Sequence, residues 1–101
     1  MYRCALILVS LLASLLAPAA VKAESGMASY YGGIGPRGEM TCAHRTRAFG
    51  TMVTVTHAGR SIRCRVNDRG PFVPTRIIDV STSAARALGM MEAGVVRVSI
   101  K

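Results

Sequence analysis

The sequence predicts a β-rich barrel. Three observations carry that expectation: short runs in which apolar and polar residues alternate, turn signals between successive runs, and one brief helical pattern among them. At 101 residues the chain has room for a single domain. Residues 27–31 form the first expected strand, ended by a loop holding Gly32, Gly33, Gly35, Pro36 and Gly38. Residues 52–56 alternate cleanly, Val53 and Val55 on one face, Thr54 and Thr56 on the other. The chain turns at 57–60, and residues 61–67 alternate again, with Ile62, Cys64 and Val66 opposite Arg63 and Arg65. Residues 68–74 read as loop, because Gly70, Pro71 and Pro74 break any ladder. Residues 76–80 are a short strand. Ser81 is placed to cap a helix over 82–88, with Ala84 and Leu88 on one face and Gly89 as its C-terminal stop. Residues 95–100 close the chain as a strand with Val96, Val98 and Ile100 inward. A helix-like piece ahead of Phe49-Gly-Thr-Met-Val-Thr-Val, and the helix ahead of Val95-Val-Arg-Val-Ser-Ile, hint at two related halves.

Residues 1–23 stand apart from this pattern. Arg3 precedes an apolar run over 5–16, and the small-residue segment Val21-Lys-Ala23 follows Pro18. That is the layout of a secretory signal peptide cut after Ala23. A membrane span needs about 20 apolar residues, and Pro18 interrupts the run too early. The expected product is then residues 24–101, one domain in the periplasm or secreted. No Cys directly follows the apolar run, so no lipid or other stable membrane anchor is expected.

Removing Arg3 and Lys22 takes the basic residues from 13 to 11 against 5 acids, a net charge of +6. All but Lys101 of those cations are Arg. A small basic exported domain can meet anionic polymers, and export turns the expectation from nucleic acid to cell-wall material. No long Lys/Arg run and no basic stripe interleaved with aromatics is present. Cleavage also removes Cys4, leaving Cys42 and Cys64. In an oxidising compartment these form either one disulfide or two buried free thiols, and the alternation puts Cys64 on the core face. There is no CxxC, and His44 and His57 alone do not complete a metal site, so neither metal nor cofactor is expected.

Acid–base chemistry must draw on five acids and two histidines. Glu24 is terminal and Glu92 sits in a turn, so both read as solvated. Asp79, inside a strand, reads as a partner of backbone amides or of an Arg. Asp68 ends a strand and opens the Pro-stiffened loop 68–74. With Phe72 as an aromatic wall it is the kind of carboxylate whose pKa desolvation raises, Arg69 pulling the other way. An Asx-type turn explains Asp68 equally well.

Val66-Asn-Asp-Arg-Gly-Pro-Phe72, followed by Arg76-Ile-Ile-Asp-Val-Ser81 and Leu88-Gly-Met90, resembles the RlpA (rare lipoprotein A) family. Ala28-Ser-Tyr-Tyr-Gly32 and Thr41-Cys-Ala-His-Arg-Thr46, with Phe49-Gly-Thr51, extend the resemblance over essentially all of residues 24–101. It implies a six-stranded double-psi β-barrel, the fold shared with expansins. It also implies an endolytic lytic transglycosylase, a lyase that cuts peptidoglycan between N-acetylmuramic acid and N-acetylglucosamine in peptide-poor strands, leaving 1,6-anhydromuramic ends. Septal or other wall-associated proteins are possible partners.

Carried over position by position, Asp68 matches the family's catalytic Asp, and His44 matches the groove histidine of the Ala-His-Arg-Thr motif. The family keeps a Gly-Glu-x-x-Asp segment ahead of that motif. Here Gly38-Glu39 runs straight into Met40-Thr41, so Glu39 is the one acid left in the shortened loop. One carboxyl group suffices for the implied chemistry. Protonated Asp68 donates to the glycosidic oxygen, then as carboxylate takes the proton of the muramic O6 hydroxyl as the anhydro ring closes. Glu39 or His44 orients the sugar or stabilises positive charge at the anomeric carbon. Tyr31 or Tyr30 is placed to stack on a sugar, only one of them facing outward, and Arg45, Arg47 and Arg69 are candidates for acidic wall groups. The competing expectation is a non-catalytic, expansin-like barrel that binds wall polysaccharide.

Overall fold

The computed structural model describes residues 23–101; the signal peptide expected over 1–23 lies, but for Ala23, outside the described residues. Six strands and one helix follow in order: β1 (Glu24–Tyr31), β2 (Thr41–Ala43), β3 (Met52–His57), β4 (Arg60–Asp68), β5 (Arg76–Ser81), α1 (Thr82–Leu88) and β6 (Val96–Ile100). They close into a barrel in the order β1-β5-β2-β4-β3-β6. Closure leaves no free sheet edge.

β1 with β5 and β2 with β4 are parallel, whereas β1–β6, β2–β5, β3–β4 and β3–β6 are antiparallel. Exchanging β1 with β4, β2 with β5 and β3 with β6 maps this ring, and the direction of every pairing, onto itself. The two halves hinted at in the sequence are thus related by topology. Their connections are not alike. α1 joins β5 to β6, but the helix-like piece expected before β3 is absent, and residues 44–50 form bends and turns.

The barrel interior is filled by the alternation seen in the sequence. Val53, Val55, Cys64, Val66, Ile78, Val80, Val98 and Ile100 are buried, and Ala84, Ala85 and Leu88 seat α1 against them. Gly26 of β1 is required by a close approach, since a Cβ there would lie 2.7 Å from the Ile77 side chain. Cys42 and Cys64 form a disulfide, both buried, joining β2 to β4. By loop-closure entropy such a bridge contributes about 3 kcal/mol, a large share for so small a core.

β2 was not foreseen. Its three residues are all buried, so it shows no alternation and leaves no periodic signal. Ser81 precedes α1 as expected but makes no side-chain cap. Its hydroxyl instead accepts from the Thr41 amide at 3.1 Å and donates to the Glu39 carbonyl at 3.2 Å, fastening the entry to β2. Gly89 does stop the helix, in the left-handed region at φ 73°.

Candidate active site

Asp68 is the last residue of β4, where it pairs with Ala43 of β2; across the other edge of β2, Asp79 of β5 pairs with the same Ala43. β5 in turn lies parallel to β1, with Asp79 opposite Ser29. Adjacent strands therefore carry Ser29, Asp79 and Asp68 across neighbouring positions of the barrel wall. The Ser29 hydroxyl donates to Asp79 Oδ1. Tyr31, two residues on along β1, donates its phenol to Asp68 Oδ2 at 3.0 Å. Asp68 Oδ1 accepts the Arg69 amide at 2.8 Å. Both carboxylate oxygens of Asp68 thus accept from neutral donors, which fixes the rotamer without adding a full positive charge.

The phenol reports the charge around it. Burial pushes the Tyr31 pKa up to about 12, helped by its hydrogen bond to Asp68 and by the negative charges of Asp68 and then Asp79. Tyr31 therefore stays a protonated donor at any ordinary pH, and both acids lie close enough to act on it. Tyr30 points the other way, packing on the core with its hydroxyl on the Met91 carbonyl at 2.8 Å. Asp79 thus joins the site, with Ser29 as its partner in place of the backbone amide or Arg expected. Its own sequence neighbourhood, two Ile and a Val, gave no sign of this; only the Ser29–Asp79 register does.

Phe72 does not wall Asp68 in. Gly70 and Pro71 are buried, and Phe72 turns outward, 81% exposed. Arg45 holds the shape of that loop: its Nε donates to the Pro71 carbonyl at 2.6 Å, and Nη2 to the carbonyls of Val73 (2.8 Å) and Arg76 (2.6 Å). Arg69 donates Nη1 to the carbonyls of His44 (3.1 Å) and Arg47 (2.7 Å) and lies 4.1 Å over the Phe49 ring. Both guanidiniums are engaged in bracing the loops around Asp68.

His44 is buried at 4% exposure. Its Nδ1 accepts the amides of Thr46 and Arg47, both at 3.1 Å, so the ring proton sits on Nε2 and is donated to Glu24 Oε1 at 3.1 Å. Burial lowers the imidazole pKa most; Glu24 opposes this, and Arg47 and Arg45 add to the lowering. Glu24, expected to be solvated, is instead half-buried between His44 and Arg47. The His44 amide donates to the Asp68 carbonyl at 3.2 Å, so this turn also sets the end of β4.

Glu39 occupies a different place. Arg65 of β4 clasps its Oε1 with both Nε, at 2.8 Å, and Nη2. The residue lines an open cleft of about 490 Å³ formed by the loop 32–38, Thr41 and the 81–83 and 86 positions around α1. The cleft adjoins the acid cluster: Gly32 on its wall follows Tyr31, and Thr82 donates its hydroxyl to the Tyr31 carbonyl at 3.3 Å. Among the described residues no group of His, Cys, Asp and Glu is arranged to hold a metal ion.

The chain is thus a closed six-stranded double-psi β-barrel domain that sets Asp68, held by Tyr31, and Asp79 on neighbouring strands. The chain belongs to the family described as lytic transglycolase, whose model matches residues 23–100. It is 48% identical over 91 residues to a Nostoc protein named probable endolytic peptidoglycan transglycosylase RlpA, covering 75% of this chain and 24% of that protein. A Rickettsia bellii protein named endolytic peptidoglycan transglycosylase RlpA is 40% identical over 94 residues, covering 77% of this chain and 41% of that one. The chain thus spans less than half of these relatives. Among solved structures, the expansin of Clavibacter michiganensis superposes with TM-score 0.67 at 26% identity, covering 79% of this chain and 50% of that one. A variant of that expansin was solved with cellohexaose.

Proposed function

We propose that this domain is an exported endolytic peptidoglycan transglycosylase with Asp68 as its acid/base. The observation that carries the reading is the placement of Asp68, held by the Tyr31 phenol, and Asp79 on either side of Ala43 in a barrel of the lytic transglycolase family. Protonated Asp68 gives its proton to the oxygen leaving the muramic anomeric carbon as that glycosidic bond breaks. The carboxylate then takes the proton of the muramic O6 hydroxyl while O6 bonds to the anomeric carbon, closing the 1,6-anhydro ring without water. Asp79 contributes negative charge beside the developing oxocarbenium. Tyr31 and the Arg69 amide hold Asp68 in place through both halves of the exchange. Exposed Phe72 offers an aromatic face to a sugar ring beside Asp68.

His44 and Arg45 are positioning residues in this reading, shaping the turn and loop that flank Asp68, and Glu39 acts on the neighbouring cleft. The leader-like residues 1–23 and the disulfide support export to the periplasm or beyond. Incubating residues 24–101 with peptide-free glycan strands is expected to yield 1,6-anhydromuramic ends detectable by mass spectrometry, and Asp68→Asn to abolish them. Saturable binding to sacculi with no such ends from the unaltered protein would establish instead a non-catalytic, expansin-like wall binder.

A further inference from the structure

The cleft beside the acid cluster carries charge that the proposed chemistry does not use. Arg37, on the loop 32–38, and Arg86, on α1, both line it and are both exposed. Neither has an ion-pair or hydrogen-bond partner through its side chain among the described residues. The one carboxylate on the wall, Glu39, is already clasped by Arg65. The hydroxyls of Ser81, Thr82 and Ser83 are likewise occupied as donors, the two serines to the Glu39 carbonyl and Thr82 to that of Tyr31. Two unpartnered guanidiniums are therefore the strongest donors the cleft presents, and they call for an acceptor group with negative charge.

We infer that this cleft is a subsite for a carboxylate-bearing sugar, with Arg37 and Arg86 binding the free lactyl carboxylate of a muramic residue. The inference rests on the transglycosylase reading for the identity of the polymer. A strand lying across Asp68 and Tyr31 passes directly into the cleft, because Gly32 and Thr82 form its near wall. In such a strand the ionisable group on the sugar is the lactyl carboxyl. It is anionic only where no stem peptide is attached, since amide formation removes the charge that a guanidinium recognises. The cleft thereby distinguishes bare strands from substituted ones by charge rather than by the acids that cut.

The test uses Asp68→Asn protein, which binds without cutting, and two probes: peptide-free glycan strands, and the same strands with their lactyl carboxyls converted to methylamides. The free-acid strands are expected to bind about tenfold more tightly, and the double substitution Arg37→Gln/Arg86→Gln to remove that preference while leaving the affinity for the methylamide strands unchanged. Added salt should weaken only the free-acid binding. Equal affinity for the two probes, or a preference that survives the double substitution, overturns the subsite. Because both Arg are exposed and unpartnered, the double variant should keep its melting temperature. Anhydromuramic end formation by the unsubstituted protein is measured alongside. Cleavage without carboxylate preference sinks the subsite alone, preference without cleavage sinks the transglycosylase reading alone, and binding to neither probe overturns both.

Discussion

Asp68 and Glu39 are carboxylates on the same barrel, yet their surroundings equip them for different work. Asp68 accepts from a phenol and a backbone amide, both neutral. Glu39 accepts from a guanidinium through two nitrogens. The phenol and the amide orient Asp68 without engaging it in an ion pair, whereas Glu39 is already held in an ion pair with Arg65. An acid's partner, more than its presence in a groove, marks it as a candidate for proton transfer.

The sharpest way to break this contrast is to neutralise each acid in turn. Asp68→Asn is expected to lower the rate of anhydromuramic end formation by about 10²–10⁴-fold. Asp79→Asn should cost roughly 10–100-fold, and Glu39→Gln less than about threefold, since the Arg65–Glu39 pair is a partly exposed surface bridge. Equal losses at Asp68 and Glu39 would erase the distinction. β2 links the two regions, running from Thr41 beside the cleft to Ala43 beside Asp68. Cys42→Ala/Cys64→Ala should therefore destabilise both together, by about 3 kcal/mol in denaturant unfolding, and retention of full stability would show that the barrel closes without the bridge.

Tyr31→Phe removes a donor from Asp68 and none from Glu39. It should reduce turnover about tenfold with the fold intact. In the unsubstituted protein the phenol should add no alkaline limb to the pH–rate profile until pH approaches 12. The smallest effect is expected at His44. Burial lowers its folded-state pKa, so the unfolded chain takes up the proton first as pH falls. Its contribution to stability is complete above the unfolded value of about 6.5 and is lost as pH drops below it. Denaturation midpoints between pH 8 and pH 5 should show that decline, and His44→Gln should flatten it.

Much of the barrel was legible in the sequence because strand alternation is a local signal. Four strands of residues 52–100 begin and end within a residue of expectation, and the residues expected to face inward are buried or, for Ile62, half-buried. β1 begins three residues earlier than expected, at Glu24, because its opening Glu-Ser-Gly carries no apolar alternation and is strand only through pairing with β6. β2 escaped for the opposite reason, being short and buried on all sides. Where a helix-like piece is expected ahead of Phe49, the chain turns instead at 44–47, its amides bound by the His44 imidazole, a contact that no periodicity records.

The site divides in the same way. The motif singles out Asp68 as a candidate, whereas nothing adjacent in the chain marks Asp79, Arg37 or Arg86. From the residues alone came the class of fold, the inward faces, the Cys pair as a candidate bridge, and Asp68. Which groups meet Asp68 was decided by barrel closure. Tyr31 and Asp68 are 37 residues apart, and Ser29 and Asp79 are 50 apart. Alternation sets which way a side chain faces over a few residues. Only the ring order and register of six strands determine which side chain from a distant strand stands beside it.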